Sequence, residues 1–170
     1  SDNGAEVYTW PDGSTTMFRG EKNAQWEGGF RSPALVRWPG VIKPGTIIND
    51  ITSLEDFMPT LLAAAGDDKI KDKLLTNHSA NGVTYKVHLD GYNLLPALKG
   101  EAKWPREEFF YWTDDGGLAA VRVRDYKLTF LRQDHDGAKV WFEPYTHLRQ
   151  AILVNLRSDP FERAQDIGVG

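Results

Sequence analysis

The sequence predicts an α/β chain that closes on a small antiparallel sheet with a helix. Three observations carry this. Leu54, Phe57, Met58, Leu61, Leu62 and Ala65 recur at helical spacing. From Phe109 onward, short aromatic and β-branched runs alternate with turn signals such as Asp114-Asp115-Gly116-Gly117. Before both, the stretch from Gly20 to Gly40, GEKNAQWEGGFRSPALVRWPG, sets a Glu-Gly-Gly turn ahead of an apolar run, Ala34-Leu35-Val36, that reads as a short buried strand.

Taken in order, residues 4 to 19 mix Gly, Pro, Ser, Thr and aromatic side chains without a period. Trp10-Pro11-Asp12-Gly13 is a turn signal, so a long loop is expected there. In the central stretch, Gly28-Gly29 offers backbone angles closed to other residues. Pro33 stiffens the exit, and Trp38-Pro39-Gly40 closes the run. The picture is one cationic side chain, Lys22, held by a rigid turn at a sheet edge. Glu27 and Arg31 are positioned to pair and hold that turn. Lys43-Pro44-Gly45 turns the chain again. Thr52 or Ser53 can cap the helix that follows, with Glu55 and Asp56 in its first turn and Gly66 at its end. Pro59 either kinks this helix or lies in the first turn of its regular part. Its apolar residues point to core packing rather than chemistry.

Residues 67 to 88 are charged, then polar, and suggest a helix plus an exposed loop, with a short strand over Val83 to Val87. Asn77-His78-Ser79 fits a glycosylation sequon, a pattern common by chance. The junction between a main domain, 1–75, and a smaller one, 76–170, is placed here. Leu94, Leu95 and Leu98 make a short helix ended by Gly100. Strands are expected over Phe109 to Thr113, Leu118 to Val123, Tyr126 to Leu131 and Ile152 to Leu156. A turn at Asp134 to Gly137 precedes Val140-Trp141-Phe142. Asp159-Pro160 opens a final helical turn, with Phe161 and Ala164 inward. Three or four antiparallel strands crossed by one helix form a small α+β layer.

Composition narrows the function. With 170 residues, 41% hydrophobic and 12% aromatic, the chain can bury a core. A net charge of −4 argues against nucleic-acid binding, which needs clustered Lys and Arg. No apolar run is long enough to span a membrane. The absence of cysteine excludes disulfides, thiolate metal sites and a Cys nucleophile within these residues.

Lys22, four residues, then Glu27-Gly28-Gly29, Arg31 and Pro33, followed by the apolar run and Trp38-Pro39-Gly40, resembles the lysine signature of the sulfatase family. Ser1-Asp2-Asn3-Gly4 resembles the family's Asp-Asn pair at a strand end. Asp56-Phe57-Met58-Pro59-Thr60-Leu61-Leu62 is a looser match to a helix that follows. Leu89-Asp90-Gly91 and Asn155-Leu156-Arg157-Ser158-Asp159-Pro160 resemble the smaller C-terminal subdomain of bacterial arylsulfatases. The resemblance implies the C-terminal part of an alkaline-phosphatase-like fold. Residues 1–75 would be the last part of the catalytic α/β domain, and 76–170 the small α+β subdomain.

The resemblance also assigns chemistry. Asp2 and Asn3 would be calcium ligands, sharing the ion with carboxylates outside this chain. Both are hard oxygen donors, and calcium takes about six to eight oxygens. Lys22 would contact the sulfate ester, whether aryl or carbohydrate, and stabilise charge that grows as the ester cleaves. The nucleophile would be a formylglycine made from a Cys/Ser-x-Pro-x-Arg motif that this chain lacks, so the isolated chain is expected to be inactive. Ser158-Asp159-Pro160-Phe161-Glu162-Arg163 places its arginine one residue late and is rejected. His78, His88, His135 and His147 show neither H-x-x-x-H spacing nor a partnered nucleophile. Trp112, Asp114, Asp115 and Trp141 are assigned to core and rim packing, with a substrate entrance as the rival reading. The family is mostly periplasmic, secreted or lysosomal. Two rivals stay open: a non-catalytic fragment or binding module, and a phosphoesterase of the same superfamily. The phosphoesterases usually carry histidine where Asn3 stands, which favours sulfate. Expressed alone, an exposed sheet edge invites self-association.

Overall fold

The structure, a computed structural model, describes residues 3–7 and 16–166. The turn signal at Trp10 to Gly13, and Asp2, lie outside the described residues. Mixed helices and antiparallel sheets build an α/β architecture. The chain divides into two compact units, one of Ser1–Leu35 with Glu108–Gly170, the other of Val36–Glu107. The division expected at 75/76 concerned the domains of a longer enzyme. The compact units follow other lines, because the opening stretch packs on the strands that begin at Glu108.

In the first unit, β3 (Glu108–Trp112), β4 (Leu118–Val123), β5 (Tyr126–Arg132) and β6 (Thr146–Asn155) form one antiparallel sheet in that order. The β3–β4 turn closes through Thr113 N donating to Gly117 O at 2.9 Å, with Gly116 at φ +78°. Arg124, at φ +53°, carries the tight turn from β4 to β5. Register sets Tyr111, Ala120 and Thr129 in one row across the sheet, and Phe109, Arg122 and Lys127 in the next. Along β5, Lys127, Thr129 and Leu131 are the buried positions, the period-2 pattern of a half-buried strand. Tyr111, Ala119, Ala120 and Leu131 form the core, with Phe30, Phe109 and Tyr145 packed against it. Phe30, Phe109 and Tyr111 meet edge to face at 4.9 to 5.9 Å, a favoured aromatic geometry. Phe30 belongs to the one-turn helix α1 (Glu27–Phe30), which therefore lies on the sheet.

Two expectations are corrected in this unit, and one run left without an element gains one. The last strand starts at Thr146, six positions ahead of Ile152, because His147 and Thr146 pair with Leu131 and Arg132. Val140-Trp141 lies in a 3-10 helix, Gly137–Trp141. After Pro160, Phe161 and Ala164 face solvent and Glu162 is buried instead. Ala34-Leu35-Val36 forms no strand across the unit boundary. Leu35 is 100% exposed, and no described strand offers this run a partner for its backbone groups.

The second unit is built on a 3-10 turn, Leu54–Asp56, running into α2 (Phe57–Ala64), with α3 (Ile70–Leu75), a hairpin of β1 (His78–Ala80) and β2 (Val83–Tyr85), and α4 (Leu95–Leu98). Helix α2 begins two residues before Pro59, so the proline occupies a first turn, where its missing N–H costs nothing. Its buried face is Pro59, Thr60 and Ala63, whereas Leu54, Met58 and Leu61 are exposed. Of the periodic apolar set, Phe57 and Leu62 are half-buried, and Leu54, Met58, Leu61 and Ala65 face solvent within this chain. Asp56 anchors the unit. Its carboxylate accepts from Ser53 N at 2.9 Å and Tyr92 N at 2.7 Å, and takes both Nε and Nη2 of the buried Arg106.

Candidate functional site

The stretch expected to be central is deeply buried from Ala24 to Gly29. It is a succession of tight turns: Ala24 N donates to Glu21 O at 3.1 Å, Gly28 N to Arg19 O at 2.6 Å and Gly29 N to Trp26 O at 2.9 Å. Gly28 and Gly29 are not at positive φ. What demands glycine is space. A Cβ on Gly28 would lie 2.4 Å from Arg19 O, and one on Gly29 would lie 2.3 Å from Ala24 O. The expectation of special backbone angles is thus replaced by one of close approach.

Every second side chain of this stretch is tied to a distant part of the unit. Glu21, buried, accepts Val7 N at 2.9 Å on one carboxylate oxygen and Gly137 N at 2.6 Å on the other. Asn23, at φ +68°, donates through Nδ2 to Val140 O at 2.8 Å, and its carbonyl accepts the Tyr145 hydroxyl at 3.0 Å. Gln25 accepts Gln133 N at 2.9 Å. Lys22 stands between the first two anchors. Its N–H donates to Ala5 O at 3.1 Å, and its Nζ lies 4.0 Å from a Glu6 carboxylate oxygen. The side chain is 35% exposed, so the ammonium reaches solvent from a fixed root.

The opening segment is bound to the same turns. Gly4 N donates to Gly29 O at 2.8 Å, so Asn3 is followed directly by a residue pinned against α1. A Cβ on Gly4 would come within 1.8 Å of Gly28 O, which explains the glycine there. Of the two expected metal ligands, Asn3 is described and exposed, and Asp2 lies outside the described residues. The Asn3 amide oxygen is a hard donor of the kind calcium accepts. Among the described residues, no group of three or more His, Asp or Glu side chains is gathered as a metal site. Asn3 fits the ion by type, and the described residues gather no full set of oxygen ligands around it.

The expected Glu27–Arg31 pair does not form; Arg31 stacks on Phe18 with Cζ 4.3 Å from the ring centre. Glu27 instead sits in a buried cluster. Lys127, 0% exposed, extends its Nζ to Gln25 O at 2.6 Å, Glu162 Oε1 at 2.8 Å and Glu27 Oε1 at 3.3 Å. Arg122 reaches Glu27 Oε2 at 3.1 Å, Tyr111 donates its hydroxyl to Glu27 Oε1, and Glu162 Oε2 accepts Glu27 N at 2.7 Å. The Lys127 ammonium also stands 4.2 Å from the Tyr111 ring centre. Burial pushes the Glu27 carboxyl up, but Lys127, the Tyr111 hydroxyl and Arg122 outweigh it and hold Glu27 below the ordinary glutamate range. At Glu162 burial wins over the same lysine, and its carboxyl is raised. The difference follows from the partners: Glu27 adds an arginine and a phenol to the shared ammonium. Burial and then Glu27 push the Tyr111 hydroxyl well above its usual value.

None of Glu21, Lys127 or Glu162 was singled out from the sequence. One signal was present for Lys127: it shares the parity of Thr129 and Leu131 along β5. Glu21 and Glu162 carried none, since both are acids in irregular chain. The rejected Ser158 to Arg163 segment is a capped turn, with Ser158 donating through Oγ to Asn155 O and the Asp159 carboxylate accepting Arg163 N and Ala164 N. Trp112 and Trp141 are both partly exposed, so neither belongs to the core.

Comparison with known proteins bears on the whole chain. A family model described as Sulfatase matches residues 1–67. Steryl-sulfatase of Mus musculus is 35% identical over 129 residues, covering 76% of this chain and 17% of that protein. Arylsulfatase A of Homo sapiens is 32% identical over 180 residues, covering 99% of this chain and 32% of that protein. Among solved structures, the PsFucS1 sulfatase from Pseudoalteromonas sp. superposes with a TM-score of 0.75 at 26% identity, covering 94% of this chain and 30% of that one. The chain therefore spans about a third or less of the length of these relatives.

Proposed function

The chain belongs to the sulfatase family, and we propose that it supplies the lysine and part of the calcium site of a hydrolase of sulfate esters. In this reading Lys22 contacts the sulfuryl group. Asp2 and Asn3 give oxygen ligands to a calcium ion, and the other ligands and a formylglycine nucleophile come from residues outside this chain. Calcium, when bound, would neutralise part of the charge on the ester. The observation that carries the reading is the fixing of Lys22. Glu21 and Asn23 on either side of it are each held by two long-range hydrogen bonds, and its own N–H is tied to the segment that follows Asn3.

The role of that fixing is electrostatic. Cleaving the S–O bond builds negative charge on the leaving oxygen and around sulfur. A preplaced ammonium stabilises that charge more than it stabilises the ground state, and needs no reorganisation as the charge develops. A mobile surface lysine would give much less. In a full-length sulfatase carrying this chain, Lys22→Ala is expected to lower kcat/KM on an aryl sulfate by about 10²–10³-fold. The same assay on the isolated chain with calcium should show no turnover. Unchanged kcat/KM in the variant, or robust hydrolysis by the isolated chain, would refute the proposal.

A further inference from the structure

We infer that Lys127 is a positioning residue for the sulfate-binding turn: it gathers Gln25, Glu27 and Glu162 around one ammonium and so fixes the backbone that carries Lys22. The inference rests on the role proposed for Lys22 and adds a residue about a hundred positions away in sequence. Lys127 occupies an inward position of a central strand, flanked across the sheet by Phe109, Arg122 and Val154. Packing alone would place an aliphatic side chain there. A buried ion cluster is weak evidence of stability, because desolvation offsets the attraction and apolar replacements are often as stable. The contribution left to it is specification of geometry, and this cluster has the connections to do that.

Each acceptor of the ammonium leads to the turn. Gln25 O belongs to the stretch itself, and its side chain is held again by Gln133 N. Glu27 opens α1, whose third residue, Gly29, takes Gly4 N and so holds the opening segment. Glu162 bridges: one oxygen meets Lys127 and the other accepts Glu27 N. Arg19, next to the turn, adds a second tie to the same place by donating to Glu162 O at 2.8 Å. The backbone on either side of Glu27 is thus bound to Lys127 directly and through Glu162. The four charged groups, Lys127 and Arg122 against Glu27 and Glu162, balance in sign, which lets them stay buried together. A shift of this frame would move Lys22 and the opening segment as a unit relative to the rest of a site.

The test is a double-mutant cycle in the full-length sulfatase that carries this chain, with concentrations set by active-site titration. Lys127→Met should lower kcat/KM on an aryl sulfate by roughly 10²-fold, the scale of a small misplacement of a catalytic contact. In a Lys22→Ala background the same change should cost less than about 3-fold, because the group it positions is gone. Lys127→Arg should recover part of the loss. Glu162→Gln, which keeps an acceptor for Glu27 N and is milder to folding, should repeat the pattern at smaller size and decides the matter if Lys127→Met does not fold. An equal loss in both backgrounds would show a general scaffold role and overturn the inference, as would no loss in either. If Lys22→Ala alone left kcat/KM intact, the proposed role of Lys22 would fall first.

Discussion

Two glutamates share one buried lysine, yet burial and partners drive them in opposite directions, and this gives a test at the level of single residues. Glu27 is held below the ordinary carboxylate range and Glu162 above it. For Glu27, the folded state favours the ionised form, so its contribution to stability is present above the unfolded value and is lost as pH falls through the lowered one. For Glu162, the folded state favours the protonated form. Stability therefore declines as pH rises from the unfolded value through the raised one, and returns on mild acidification. Carboxyl-carbon NMR titration of the chain should show two midpoints on opposite sides of the normal glutamate value. Midpoints that both fall below it would contradict this account of the cluster. Glu162→Gln should also remove the gain in denaturant stability on going from neutral to mildly acidic pH. Little of this was legible in the sequence. Lys22 stood out through its spacing to Glu-Gly-Gly, but the partners that anchor its neighbours Glu21 and Asn23, Gly137 and Val140, and the pair Lys127 and Glu162 that bind Gln25 and Glu27, all lie far along the chain. Their roles arise only when a sheet brings positions a hundred or more apart into contact.

Elements formed where local chemistry agreed with tertiary context, and failed to form where a partner was missing. The strands from Glu108 to Arg132 and helix α4, with Gly100 at φ +77° just beyond it, follow the expected turns and periods. Of the β1–β2 hairpin only the second strand was expected, over Val83 to Val87, although Asn81-Gly82, at φ +51° and +76°, is the dipeptide that a tight hairpin turn prefers. Ala34-Leu35-Val36 shows the opposite case: an apolar run is a strand only if another strand pairs with it. The glycines of the Glu-Gly-Gly turn teach a related point. Their need is set by atoms from Phe18 to Ala24, so a motif can be correct while its supposed cause is wrong. This separates two kinds of glycine experimentally. Gly40 is at φ +81° with open space around its missing side chain, so Gly40→Ala is expected to cost about 1 kcal/mol from backbone strain alone. Gly28→Ala forces a Cβ into three backbone carbonyls and should cost more, about 1–3 kcal/mol or beyond. Urea denaturation of the two variants checks the order. Equal costs would mean that the turn relaxes freely around an added methyl.

At the scale of the whole chain, the pattern of exposure carries the argument. Leu35, Val36, Ile47, Leu54, Met58 and Leu61 are all large, apolar and more than half exposed. They fall within residues 1–67, the part that matches the sulfatase family model. In the sheet of the other segment, Phe110, Trp112 and Leu153 are exposed as well, and both β3 and β6 are edge strands. Scattered apolar residues on a surface need no explanation, but runs such as Leu35-Val36, together with unpaired edges, are sites where chains associate. In the proposed full-length enzyme, with relatives about three times as long, further chain would cover the first group. The isolated chain is therefore expected to elute ahead of its 19.2 kDa mass on a sizing column and to bind a hydrophobic dye. Replacing Leu35 and Ile47 by Lys should move it toward the monomer and dim the dye, because neither side chain is buried within this chain. The same pair of changes in the full-length protein should lower its stability and yield, since there they would place charge in an interior. A monomeric isolated chain that ignores the dye would show that this apolar surface is tolerated in water, and the case for covering it with further chain would fail.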